Sequence, residues 1–201
     1  MVQGVPRSVC WVIALFGLLL ARAPACQGEP RILHADPALS WTWSGTTQLT
    51  VQVRSSGLIT NRTEAGLWFS HPQAGGRVDD GAPEVPVFVL MFEAYTGTPK
   101  LESHTAIPDA GRVLPGYLLP VEVETIRSVD DLKTVREKRR DPDPAIYQSS
   151  TPWPEQPVQI NEAIMMRRRI LRLAFLPVRY NPKEQVIQIF DDFAVTLRFD
   201  P

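Results

Sequence analysis

Residues 165–200, MMRRRILRLAFLPVRYNPKEQVIQIFDDFAVTLRFD, carry the clearest fold signal in this 201-residue chain. Over residues 193–199, large apolar side chains alternate with small, polar or charged ones. The same alternation runs through residues 171–175, where leucine, leucine and phenylalanine are separated by arginine and alanine. A period of two predicts strands with one buried face and one exposed face.

We predict a three-stranded antiparallel meander from this stretch. Its first strand runs from Met165 to Tyr180, and the turn after it contains Pro182, which presets the backbone for a turn. The chain returns through Val186–Phe190 and, after a break at Asp191-Asp192, ends in the alternating strand 193–199. A meander with one apolar face must pack on a second sheet. The predicted fold is therefore all-β, a two-sheet antiparallel β-sandwich.

Further strands are predicted upstream from runs of β-branched, aromatic and alternating residues. These runs are Arg31–Ala35, Ser40–Val53, Gly66–Ser70, Glu84–Thr96 and Leu114–Ile126. For Glu84–Thr96, a buried helix is the alternative, because periodicity alone does not distinguish it from a buried strand. The 19 prolines, almost twice the usual share of about 5%, also favour short strands with stiff connections over a helical bundle.

One short helix is predicted after Ser128. Ser128 and Asp131 have capping-box spacing, and Val129, Leu132 and Val135 then lie on one side. Residues 139–158 follow as a proline-rich, extended connection.

The N-terminus has the pattern of a signal peptide. Arg7 precedes an apolar run, Trp11–Ala21, that is too short to span a bilayer comfortably. Small residues ending at Ala25 then predict cleavage before Cys26, so the first 25 residues are expected to be removed. An uncut N-terminal anchor is the alternative.

The predicted mature domain, residues 26–201, contains one cysteine, Cys26, since Cys10 lies in the signal. An internal disulfide and a thiolate metal cluster are therefore excluded. Because Cys26 stands directly at the predicted cleavage point, a lipoprotein is a second option. If the signal is cleaved, we expect the domain to be attached to a membrane only when Cys26 is lipidated.

Composition and motifs indicate a non-catalytic protein without a cofactor or metal. The net charge of −1 gives no reason to expect a nucleic-acid partner. The sequence has neither a glycine-rich phosphate loop nor a Gly-x-Ser-x-Gly elbow. The three histidines, His34, His71 and His104, lack the close spacing typical of zinc ligands.

A basic run lies where the predicted helix opens into the proline-rich connection. It contains Arg136, Lys138, Arg139 and Arg140. Such a run is often a solvated end of a structural element. The alternative is an exposed segment that a protease cleft could hold.

Five short motifs resemble the propeptides of gingipain-type cysteine peptidases. They are GAPEVP at 81–86, PAIY at 144–147, PVRYNP at 177–182, VIQIF at 186–190 and VTLRF at 195–199. The resemblance is strong over the last 60 residues or so and weak upstream. It implies a β-sandwich module placed before a caspase-like catalytic domain, which assists folding and occupies the active-site cleft until it is cleaved.

Some propeptides of this family place a basic residue in the specificity pocket of an arginine- or lysine-selective enzyme. By position and chemistry, Arg139 or Arg140 is the expected residue here, followed by Arg136 and Lys138. The expected partner is a cysteine peptidase catalytic domain, either in cis after Pro201 or in trans. The alternative function is a stand-alone exported β-sandwich adaptor without a peptidase partner.

Overall fold

The computed structural model describes residues 31–45, 47–76, 78–93, 98–104, 112–130 and 133–200. The predicted signal peptide, its cleavage point between Ala25 and Cys26, and the lipidation of Cys26 lie outside these residues.

Fifteen β-strands and one helix form within the described ranges. They are β1 (Ile32–Ala35), β2 (Leu39–Ser44), β3 (Gln48–Arg54), β4 (Ile59–Thr63), β5 (Gly66–Ser70), β6 (Phe88–Glu93), β7 (Thr98–His104), β8 (Arg112–Pro115), β9 (Val123–Asp130), β10 (Lys133–Arg139), α1 (Pro144–Tyr147), β11 (Val158–Met165), β12 (Arg168–Phe175), β13 (Val178–Asn181), β14 (Val186–Ile189) and β15 (Asp192–Asp200). The all-β class predicted from the sequence is confirmed.

Two four-stranded antiparallel sheets enclose the main core. Their strand orders are β1-β6-β12-β11 and β2-β3-β15-β7. The alternating apolar residues predicted to share a face do meet in one buried cluster: Leu49, Val51, Val53, Leu171, Leu173, Phe175, Phe193, Val195, Leu197 and Phe199. Burial of these side chains supplies the main force that holds the two sheets together.

A smaller sheet, β13-β14-β8, encloses a second core. Its inward side chains, among them Tyr180, Ile187 and Ile189, pack with Leu67 and Phe69 of the β4–β5 hairpin. Tyr147 of α1 packs against this second core, which therefore holds the segment that follows β10.

The predicted long strand from Met165 to Tyr180 is wrong. The chain turns at Met166-Arg167 between β11 and β12, and it leaves the sheet at Leu176-Pro177 before β13. One strand of that length would extend roughly 50 Å, far beyond a small sandwich. Pro177 has no backbone N–H to donate, which favours a change of sheet at this point.

The predicted meander is also wrong in its last connection. β13 and β14 pair as expected, but β15 pairs with β3 and β7 of the large sandwich. The break at Asp191-Asp192 is where the chain crosses over. The Ser55 amide donates to the Asp191 carbonyl at 2.8 Å and fixes this crossing.

Two predicted strands are each divided. A tight turn after Ser44 splits residues 40–53 into the β2–β3 hairpin, and residues 114–126 contribute to β8 and β9 in different sheets.

The helix predicted after Ser128 is wrong as well, since β9 and β10 form an antiparallel hairpin there. β-branched residues are frequent on both strands, and they favour extended backbone. The helix lies instead at Pro144–Tyr147, inside the connection predicted to be extended. The Asp143 carboxylate caps it by accepting from the Ala145 amide at 2.8 Å, and Pro144 fits the first turn.

Candidate functional site

The β9–β10 hairpin is the candidate functional site, because it presents the basic run on an exposed two-stranded ribbon. Among the described strands, β9 and β10 pair only with each other. Ile126 on β9 is 66% exposed, consistent with a ribbon that no other described strand pairs with.

The four predicted basic residues run from the middle of β10 to the position directly after its last residue. Arg136 and Lys138 project from the same face of β10 because side chains alternate along a strand. Lys138 Nζ lies 2.6 Å from Glu122 Oε1, and Arg136 Nη1 lies 3.5 Å from Glu124 Oε1. The hydrogen bond between Lys138 and Glu122 raises the pKa of the lysine and lowers that of the carboxyl group.

Arg139 ends β10 and is exposed. Its Nη2 lies 3.0 Å from Glu137 Oε2, two residues earlier on the same strand. This hydrogen bond raises the pKa of the Arg139 guanidinium. Because both partners are on the exposed ribbon, the pair is solvent-screened and easily exchanged for another carboxylate.

Arg140 is placed differently, since its side chain is only 25% exposed. Its Nη1 donates to the Glu84 carboxylate and, at 2.5 Å, to the Pro120 carbonyl. The guanidinium carbon lies 5.5 Å from the centre of the Trp68 ring, within cation–π range. The structure therefore binds Arg140 to the body of the protein at the base of the hairpin.

Residues 81–84, which we call the platform, hold the backbone on both sides of the hairpin. Val121 donates to the Ala82 carbonyl at 2.9 Å before β9, and Asp143 donates to the Gly81 carbonyl at 3.0 Å after β10. Gly81 has a φ of +82°, and an added Cβ would lie 3.1 Å from the Asp143 nitrogen. The glycine of the GAPEVP motif is thus required by both backbone conformation and close approach.

Three tyrosines attach the following helix to the second core. The Tyr147 hydroxyl donates to the Leu118 carbonyl at 2.8 Å, and its ring lies 5.5 Å from Tyr117 and 5.9 Å from Tyr180. Burial raises the pKa of all three phenols. The PAIY motif therefore fixes the chain directly after the hairpin.

A cleft of about 420 Å³ opens beside the platform, and its lining includes Glu84, Glu122 and His71. Burial lowers the pKa of His71, whose ring packs edge-on against Phe88 at 4.9 Å. No group of three or more metal-ligating side chains forms within the described residues. No helix in the same residues has the length and apolar character needed to cross a membrane.

Sequence reasoning located the basic run but missed the groups that organise it. Glu84 and Trp68 lie far from Arg140 in the chain, and Glu84 precedes Arg140 by 56 positions. The one available signal was the GAPEVP motif, whose function as a platform appears only in the folded structure.

No family model matches this sequence, and no curated protein matches it either. Two solved structures have a similar fold. One is the complex of the Porphyromonas gingivalis RgpB pro- and mature domains, with a TM-score of 0.59, 14% identity, and 82% of this chain and 86% of that chain covered. The other concerns the zymogenic latency of gingipain K from the same organism, with a TM-score of 0.52, 20% identity, and coverage of 81% and 92%. The match of fold with a gingipain-type propeptide domain is thereby confirmed.

Proposed function

We propose that this chain is the N-terminal pro-region of an exported gingipain-type cysteine peptidase, which assists folding and blocks the active-site cleft until it is cleaved. The observation that carries this proposal is the structural match over 82% of the chain to a structure containing a pro-domain bound to its mature domain. The chain itself is then non-catalytic, and its partner is a cysteine peptidase catalytic domain in cis or in trans.

The β9–β10 hairpin is proposed as the element that enters the cleft. Among the hairpin side chains that the structure describes, the exposed cations are Arg139, Arg136 and Lys138, and each pairs with a solvent-accessible carboxylate. Their present partners can be exchanged at little cost. An acidic specificity pocket would bind one of these cations more strongly, because charge-assisted hydrogen bonds gain strength when water is excluded. Arg140 also belongs to this basic set, although its side chain is already bound.

Export is proposed from the N-terminal sequence alone. Cleavage between Ala25 and Cys26 would remove the first 25 residues, and the exported domain would then lie in the periplasm, at the cell surface or in the medium. Lipidation of Cys26 would attach it to a membrane.

One observation favours the alternative function, a stand-alone exported adaptor. The turn between β11 and β12 exposes three consecutive large apolar residues, with Ile164 77%, Met165 54% and Met166 93% exposed. Contiguous exposed apolar residues are a feature of binding surfaces.

An inhibition assay tests the proposed function. Residues 26–201 are mixed with a caspase-like peptidase domain from the same genome, and substrate hydrolysis is followed. The test variant changes Arg136, Lys138, Arg139 and Arg140 to Ala. The matched control removes four exposed arginines elsewhere, through Arg54→Ala, Arg62→Ala, Arg167→Ala and Arg198→Ala.

The control is expected to inhibit like the wild type. The inhibition constant of the test variant should be about 100-fold higher than that of the wild type, which is the effect of removing one buried charged contact from an interface. Equal inhibition by both variants would refute the hairpin as the blocking element. Failure of the wild-type module to bind any such peptidase would favour the adaptor.

A further inference from the structure

We infer that Arg140 is a positioning residue that fixes the β9–β10 hairpin against the platform, and that it is not the residue inserted into a partner's cleft. This inference rests on the proposed function for its inhibitory consequence. Its structural part, the control of hairpin mobility, can be measured on the isolated domain.

The contacts of Arg140 join four separate segments of the chain. Its guanidinium reaches Glu84 on the platform and Pro120 just before β9, and it lies over Trp68 of β5. Arg140 itself directly follows the last residue of β10. The hairpin is therefore closed at its base by one side chain that contacts both its entry and the body of the protein.

The chemistry of this site requires arginine. Nη1 serves two acceptors, and Nε faces the Glu122 carboxylate at 3.6 Å. A planar fork can serve several acceptors while its face rests on an indole ring, and a lysine ammonium cannot reproduce that combination. Glu84 is 31% exposed and Arg140 25%, so water competes less for this pair than for a fully exposed one.

The neighbouring residue provides an internal comparison. Arg139 contacts a carboxylate on its own strand, so its ion pair adds nothing that connects the hairpin to the platform. The two arginines are adjacent, carry the same charge and differ in what they contact. We call the contacts of Arg140 with Glu84, Pro120 and Trp68 the latch. The alanine variants of the two arginines therefore separate the effect of the latch from a general loss of positive charge.

Loss of the latch has a defined consequence. The described hairpin would then be attached at its base through the backbone bonds of Val121 and Asp143, which fix the ends of the ribbon but not its tilt. A ribbon that samples many orientations presents the binding orientation only part of the time. The apparent inhibition constant rises in inverse proportion to the fraction of time that the ribbon spends in the binding orientation.

Hydrogen exchange on the isolated domain tests the structural part. The variants are Arg140→Ala, Arg140→Lys and the control Arg139→Ala. Amides of residues 123–139 are expected to exchange about tenfold faster in Arg140→Ala, the factor that corresponds to losing one charge-assisted contact. Arg140→Lys should show an intermediate effect and Arg139→Ala none. Unchanged exchange in Arg140→Ala, with the fold intact by circular dichroism, would overturn the inference.

A charge swap tests the functional part. Arg140→Glu alone should loosen the hairpin and weaken inhibition, and adding Glu84→Arg should restore both in part, because the ion pair between positions 84 and 140 re-forms while the contacts with Pro120 and Trp68 do not. If the double variant restores slow exchange but not inhibition, Arg140 acts inside the partner's cleft and the inference is wrong. If the wild-type domain inhibits no peptidase, the proposed function fails, and the exchange comparison still decides whether Arg140 fixes the hairpin.

Discussion

Phe92→Ala is the most informative perturbation of the scaffold that holds the hairpin. Phe92 is fully buried between the two large sheets, where its ring meets Trp43 edge-on at 5.8 Å and Phe199 at 6.1 Å. Removing a buried phenylalanine costs about 3–5 kcal/mol through lost transfer energy and the cavity left behind. With both partners held by separate strands, the cavity cannot collapse easily, so we expect a loss near 4 kcal/mol.

Urea unfolding followed by tryptophan fluorescence measures this loss. The control is Leu33→Ala on β1, where the side chain is 42% exposed and the expected loss is below about 1 kcal/mol. The slope of free energy against urea should stay the same if the fold is retained. A loss below about 1.5 kcal/mol for Phe92→Ala, or equal losses for both variants, would refute the packing of Phe92 between two sheets.

Three further predictions concern pH and the β11–β12 turn. Burial raises the pKa of Tyr147 above its usual 10.0, so the contribution of Tyr147 to stability is complete below pH 10 and is lost as the pH rises further. Tyrosinate absorbance should show that Tyr147 ionises only when the protein unfolds, and normal titration of Tyr147 in the folded protein would contradict this. The bond from Lys138 lowers the pKa of Glu122 below 4.5, so its contribution to hairpin order is present above that pH and lost as the pH falls through the lowered pKa. The protection of the hairpin amides, which is their exchange rate relative to the intrinsic rate at the same pH, should lose this pH dependence in Glu122→Gln, and an unchanged dependence would exclude Glu122 as the cause. Met166 and Arg167 have φ values of +49° and +65°, which favour asparagine and glycine. The double variant Met166→Asn, Arg167→Gly should therefore be more stable by about 1 kcal/mol in thermal unfolding, and a loss of stability would show that the native side chains stabilise the turn.

The strands that were predictable from the sequence are those in which apolar side chains alternate with polar or small ones, because this alternation is a local property of the segment. Residues 49–53, 171–175 and 193–199 each have one apolar face, and each packs into the same core. Pairing partners were not predictable, because register depends on distant residues. β15 follows β14 in the chain but pairs with β3, whose residues lie more than 130 positions earlier.

The candidate site shows the same division between local and distant information. The basic run was visible as charge, but its spacing also fitted a helix, since Val129, Leu132 and Val135 satisfy a helical period. Only pairing with β9 decides for a strand. The different environments of Arg139 and Arg140 depend on Glu84, Pro120 and Trp68, so no property of the run itself could distinguish the two.

Disulfide trapping tests the central claim, that the hairpin occupies a peptidase cleft, most directly. With Cys26→Ser as background, Arg139→Cys is mixed with a caspase-like peptidase domain from the same genome under mild oxidation, and Met166→Cys on the β11–β12 turn is the control. If the hairpin occupies the cleft, Arg139→Cys is expected to form a disulfide with the catalytic cysteine, and an active-site ligand is expected to prevent it. Efficient trapping through Met166→Cys, with none through Arg139→Cys, would contradict the account.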